Sequence, residues 1–113
     1  MAPELSLEAL REEIDRIDEV VVRLLDRRAR CAFAIGRLKR ELARPIYEPG
    51  READVIARVQ AINARLEGPL DDGAILRMYE RIMDEARRIQ RLEAEGSGVP
   101  PERLVLPDDG DGA

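Results

Sequence analysis

The sequence predicts an all-α domain with three helices per chain, one long and two shorter, and three observations carry that expectation. The core-building residues are Leu, Ile, Val and Ala, with no Trp and only 3% aromatics, a composition of helices packed on helices. An apolar heptad seam runs without a break from Leu7 to Leu42. The pairs Arg44-Pro45 and Gly68-Pro69 then cut the rest of the pattern into separate segments.

The first helix starts near Ser6, whose hydroxyl suits an N-cap, with Leu5 and Leu10 spaced as a hydrophobic staple. Its seam reads Leu7, Leu10, Ile14, Ile17, Val21, Leu24, then Arg28, Cys31, Ile35, Leu38 and Leu42. Gly36 is the one weak helix former in the run, and Arg44-Pro45 ends it, because a residue before proline is pushed out of helical geometry. After the loop Pro45-Ile46-Tyr47-Glu48, Pro49 suits the first turn of a second helix with the seam Glu52, Val55, Val59, Ile62, Leu66. Asp71 or Asp72 caps the third, whose seam is Leu76, Tyr79, Met83, Ala86, Gln90. Residues 1–95 thus form one domain, and 96–113, rich in Gly, Pro and Asp, read as a disordered tail or a linker.

Composition excludes several classes of function. The net charge of -5 argues against nucleic acid as the main partner. No stretch is long and apolar enough to span a membrane, and Met1-Ala2-Pro3-Glu4 lacks the regions of a signal peptide. Cys31 is the single cysteine, so an intrachain disulfide is excluded; this fits a reducing, cytoplasmic setting. There is no histidine, which removes the commonest general base and metal ligand, and no spacing of acids resembles a metal site.

Length argues for a partner. A helix from Leu7 to Leu42 is roughly 54 Å long, whereas a compact domain of this size is roughly 35 Å across. The overhanging seam needs cover, and the simplest cover is a second copy related by two-fold symmetry, giving an intertwined homodimer.

Charged side chains occupy positions where apolar ones belong. Arg28 sits in the seam, and a buried unpaired charge costs several kcal/mol, on the order of 3–5. It needs a protein carboxylate, an escape to solvent or an anionic ligand. Lys39 lies eleven residues on, almost on the same face and about 16 Å along the axis. The gap between two such side chains suits a small molecule with two anionic groups. Arg11 borders the same seam, too far along the helix to join Lys39 within one chain, but near enough across an antiparallel dimer. Glu48, Arg51 and Glu52 gather at the second helix N-terminus, where acids also complement the helix dipole. Gln90 is a polar residue in an apolar seam and needs hydrogen-bond partners. Arg87-Arg88 reads as a solvated pair, and Cys31 as inert core.

Four segments in order carry a resemblance: Leu10-Arg11-Glu12-Glu13-Ile14-Asp15, Leu24-Leu25-Asp26-Arg27-Arg28, Ile35-Gly36-Arg37-Leu38-Lys39, and Pro45-Ile46-Tyr47-Glu48-Pro49-Gly50-Arg51-Glu52. Together they resemble the small all-helical chorismate mutases, the AroQ class (type II), over roughly Leu5 to Glu93. The resemblance implies an isomerase of phenylalanine and tyrosine biosynthesis that converts chorismate to prephenate without a cofactor. It also implies an intertwined dimer in which each active site is lent one arginine, matched here by Arg11. By the same resemblance, Arg11 and Arg28 bind substrate carboxylates, with Arg51 in support. Lys39 contacts a carboxylate and the ether oxygen, and Gln90 donates to that oxygen. Glu52 holds the ring hydroxyl, helped by the backbone at Glu48. Two positions depart from the family pattern: Glu48 where aspartate is frequent, and Ala86 where a serine often helps bind a carboxylate. The same scaffold also serves isochorismate-pyruvate lyases, and a non-catalytic helical dimerisation or regulatory module is the alternative from another class.

Overall fold

The computed structural model describes residues 5–96, in three helices: α1 (Leu7–Glu41), α2 (Pro49–Leu66) and α3 (Asp72–Ala94). The expected tail lies, from residue 97 on, outside the described residues. Ser6 caps α1 by accepting from the Ala9 amide at 3.0 Å, and Asp71 caps α3 by accepting from the Ala74 amide at 2.8 Å. Each satisfies an N–H that the first helical turn leaves without a partner. Pro49 opens α2, where its missing N–H costs nothing.

The ends of α1 and α2 differ from the sequence expectation. α1 stops at Glu41, before the Arg44-Pro45 pair, in a closing turn of two hydrogen bonds: Ala43 N–H to Arg40 O at 3.2 Å and Arg44 N–H to Lys39 O at 2.8 Å. The left-handed residue of that turn is Ala43, and α2 ends on left-handed Glu67 rather than on Gly68. Neither residue is glycine, so each carries a backbone cost of about 1–2 kcal/mol.

α3 is the shared element, packing against α1 on one side and α2 on the other. Its junction with α2 is the apolar core of Val55, Val59 and Met83, with Ile56, Ile75 and Tyr79 around it. Asn63 Nδ2 donates to Leu70 O at 2.7 Å and ties the α2–α3 turn. The junction with α1 is tighter. Ala32, Phe33 and Gly36 are buried there, and a Cβ on Gly36 would lie 2.9 Å from the Gln90 Cα. Only a residue without a side chain permits this approach. One turn further, buried Glu93 pairs with Arg40 at 3.0 Å and with Arg37 at 3.8 Å; its second oxygen accepts no hydrogen bond among the described residues.

Among the described residues, the N-terminal half of α1 has no such cover. Ile14, Ile17, Val21 and Leu24 are between 45% and 58% exposed, although their spacing marks them as core. The molecule extends 57 Å along its longest axis, with a radius of gyration of 17.4 Å, against about 13 Å for a compact domain of this size. An apolar groove of about 720 Å³ runs between this half of α1 and α3, lined by residues such as Val22, Leu25, Met78, Ile82 and Ile89.

Candidate active site

A cavity of about 450 Å³ opens where the C-terminal half of α1, the first turns of α2 and the last turns of α3 meet. That volume lies within the usual range for a small-molecule site. Arg28 and Lys39 reach it from α1, Glu48, Arg51 and Glu52 from the start of α2, and Ala86 and Gln90 from α3. Arg11 does not line it. Seventeen residues of α1 separate Arg11 from Arg28, about 26 Å along the axis.

Lys39 is largely enclosed, with 12% of its side chain exposed. Its Nζ donates to Ile46 O at 2.8 Å and to Gln90 Oε1 at 3.1 Å, and pairs with Glu48 at 3.0 Å. The hydrogen bond from Lys39 holds the Glu48 carboxyl below the usual carboxylate range, with Arg44 and Arg51 adding to the effect. Because the Gln90 oxygen accepts from Lys39, its amide NH2 is the end left to donate. Gln90 is buried, and the close Gly36 crossing fixes its backbone.

Arg28 meets no carboxylate among the described residues. Its guanidinium lies 5.9 Å from the centre of the Tyr79 ring, a cation–π contact rather than a neutralising one. Among the described residues, none supplies the anion that a buried arginine needs.

Arg87 corrects the sequence reading. Read as solvated, it lines the cavity with 23% of its side chain exposed. One guanidinium nitrogen donates to both oxygens of Glu52, the other to Asp84, and the group lies 5.5 Å from the centre of the Tyr47 ring. The hydrogen bond to Glu52 raises its pKa further. The signal was in the spacing: Arg87 follows Met83 by four residues and precedes Gln90 by three, so it shares their face. Arg88 is on the open side, paired with Glu85 at 2.7 Å. Arg58 was also missed. It lines the cavity two turns along α2 from Arg51, on the same face. Cys31 is half-buried and lines the cavity as well, rather than lying in closed core.

The cavity therefore holds five cations, Arg28, Lys39, Arg51, Arg58 and Arg87, against the carboxylates of Glu48 and Glu52. Two of the cations are taken by those carboxylates. The remainder present an excess of positive charge to a ligand, next to the free amide of Gln90.

The sequence matches the family described as chorismate mutase type II over residues 10–91. It is 41% identical over 81 residues to a bifunctional chorismate mutase/prephenate dehydratase of Neisseria gonorrhoeae, covering 72% of this chain and 21% of that protein. Against the protein of the same name from Aquifex aeolicus the identity is 34% over 86 residues, covering 75% and 24%. The chain thus spans about a fifth to a quarter of the length of these curated relatives. A solved structure of a chorismate mutase from Thermus thermophilus superposes with a TM-score of 0.71 at 35% identity, covering 75% of this chain and 93% of that one. With residues 10–91 matched, the chain belongs to the type II chorismate mutase family.

Proposed function

We propose that this chain rearranges chorismate to prephenate, in phenylalanine and tyrosine biosynthesis, as a cytoplasmic intertwined homodimer. The observation that carries the reading is the Lys39–Gln90 pair: Lys39 Nζ donates to Gln90 Oε1 at 3.1 Å and so leaves the Gln90 NH2 to donate, in a cavity whose Arg28 meets no carboxylate among the described residues. The reaction is an intramolecular Claisen rearrangement. It needs no nucleophile and no proton transfer, so a chain without histidine can perform it.

Two tasks fall to the protein. One is to hold the substrate in its folded, diaxial form, which is an orientation effect. Arg28, with Arg51 in support, takes the carboxylates, and Arg11 of a second copy completes the grip. The other is to stabilise the negative charge that grows on the ether oxygen as its bond breaks. Lys39 and the Gln90 amide are donors fixed before that charge appears. A millionfold acceleration takes about 8 kcal/mol, of which one such donor supplies about 3–4. Glu52 accepts from the ring hydroxyl. Ala86 offers no hydrogen bond, so its cost falls on substrate affinity.

The homodimer reading rests on the open apolar stripe of α1 and on the distance of Arg11 from the cavity. The test is incubation of pure protein with chorismate and, separately, isochorismate, with the products identified. Prephenate from chorismate is the expected result. Pyruvate and salicylate from isochorismate, with chorismate untouched, would overturn it.

A further inference from the structure

Arg87 has a role that the excess of cations hides. It is the only side-chain partner of Glu52 among the described residues, and it holds both oxygens of that carboxylate through one nitrogen. Its other terminal nitrogen is taken by Asp84, and its guanidinium carbon lies 5.5 Å from the centre of the Tyr47 ring. With two carboxylates beside it, Arg87 has little charge left for a third anion. Arg28, which has none among the described residues, is in the opposite condition.

We propose that Arg87 is a positioning residue that acts through Glu52, dividing the cavity into a subsite for a neutral hydroxyl and a subsite for anions. The proposal rests on the reading of the cavity as a chorismate site. Glu52 projects from the first turn of α2 into a cavity crowded with guanidinium groups. Left free, its carboxylate would compete with the substrate for Arg28, Arg51 or Arg58. Held by Arg87, it leaves those cations to the substrate carboxylates. Each oxygen of a carboxylate has two lone-pair sites, so Glu52 retains acceptor capacity for a hydroxyl. The hold also fixes the start of α2, since the α2–α3 apolar core begins only at Val55, one turn later. A lysine would serve less well. It is a point charge, whereas the planar guanidinium reaches Glu52 and Asp84 at once and also makes a cation–π contact with Tyr47.

The test is a double-mutant cycle in the full chain, using Arg87→Met, Glu52→Gln and the pair, with chorismate as substrate. Arg87→Met is expected to lower kcat/KM about tenfold, chiefly through KM, and to cost less than about twofold when Glu52 is already Gln. Arg87→Lys is expected to recover part of the loss, and covers the case in which Arg87→Met fails to fold. Equal losses in both Glu52 backgrounds, or no loss from either Arg87 variant, would overturn the proposal. A readout independent of turnover separates this from the functional reading. In the NMR spectrum of ¹⁵N-labelled protein, a slowly rotating Arg87 guanidinium should be visible in the wild type and lost in Glu52→Gln. Its persistence in that variant would sink the pairing, whereas a wild type with this signal but no action on chorismate would sink only the assigned reaction.

Discussion

Lys39 has three ammonium protons and three oxygens around it, from Ile46, Gln90 and Glu48. In the proposed reaction a substrate oxygen displaces one of them. Glu48 is the most exposed of the two side chains, and its carboxylate is the natural one to leave. Lys39→Ala is expected to lower kcat/KM by about a hundredfold or more while the helical circular dichroism signal stays intact. Glu48 supplies a second prediction. A carboxyl held below its ordinary pKa contributes stability that is present above the unfolded value and is lost as pH falls through the folded one. Its ¹³C resonance should therefore titrate below the ordinary glutamate value of about 4.3, and return toward it in Lys39→Ala. A midpoint at or above the ordinary value in the wild type would refute the pair. At this scale the sequence was readable where a polar residue interrupts an apolar seam, as at Arg28, Glu52 and Gln90. Arg87 escaped because it sits beside the seam rather than on it, and its partner Glu52 lies 35 residues away on another helix.

The close crossing of α1 and α3 at Gly36 and Gln90 sets where the Gln90 amide stands relative to Lys39. Glycine inside a helix costs roughly 1 kcal/mol relative to alanine, yet alanine here would drive a Cβ against the backbone of α3. Gly36→Ala is therefore expected to destabilise the protein by about 1–2 kcal/mol despite the better helix former, and to lower kcat. Gly50, in the first turn of α2, meets nothing within 4 Å of an added Cβ. Gly50→Ala should instead stabilise by about 0.4–1 kcal/mol. Urea unfolding of both variants at one protein concentration checks the contrast, and two shifts of the same sign would refute it. The helix starts at Ser6, Pro49 and Asp71 were legible because capping chemistry is local. The closeness at Gly36 was not, since a glycine in a seam looks the same whether or not another backbone lies above it. The stop of α1 at Glu41 was equally hidden, because its closing turn uses Ala43 in a conformation that sequence assigns to glycine.

For the whole molecule, the three-helix architecture could be read from periodicity, and the mismatch between α1 and a compact domain could be read from length alone. What no single chain can display is the neighbour of Arg11. If each site joins Arg11 of one copy to Arg28 and Lys39 of the other, two inactive variants should rescue one another. Mixing Arg11→Ala with Lys39→Ala subunits under conditions that allow exchange is expected to restore about a quarter of the sites, because half the dimers are mixed and each mixed dimer has one intact site. Activity of the mixture no greater than the sum of the separate variants would refute the shared site. The bare stripe from Ile14 to Leu24 has a last consequence, for the conditions in which such a protein works at all. When subunits complete each other's sites, folding and assembly are one mass-action equilibrium, and turnover follows the assembled fraction. For the proposed homodimer, dilution then acts as an inhibitor, and the concentration at which the chain is made sets how much of it can turn over.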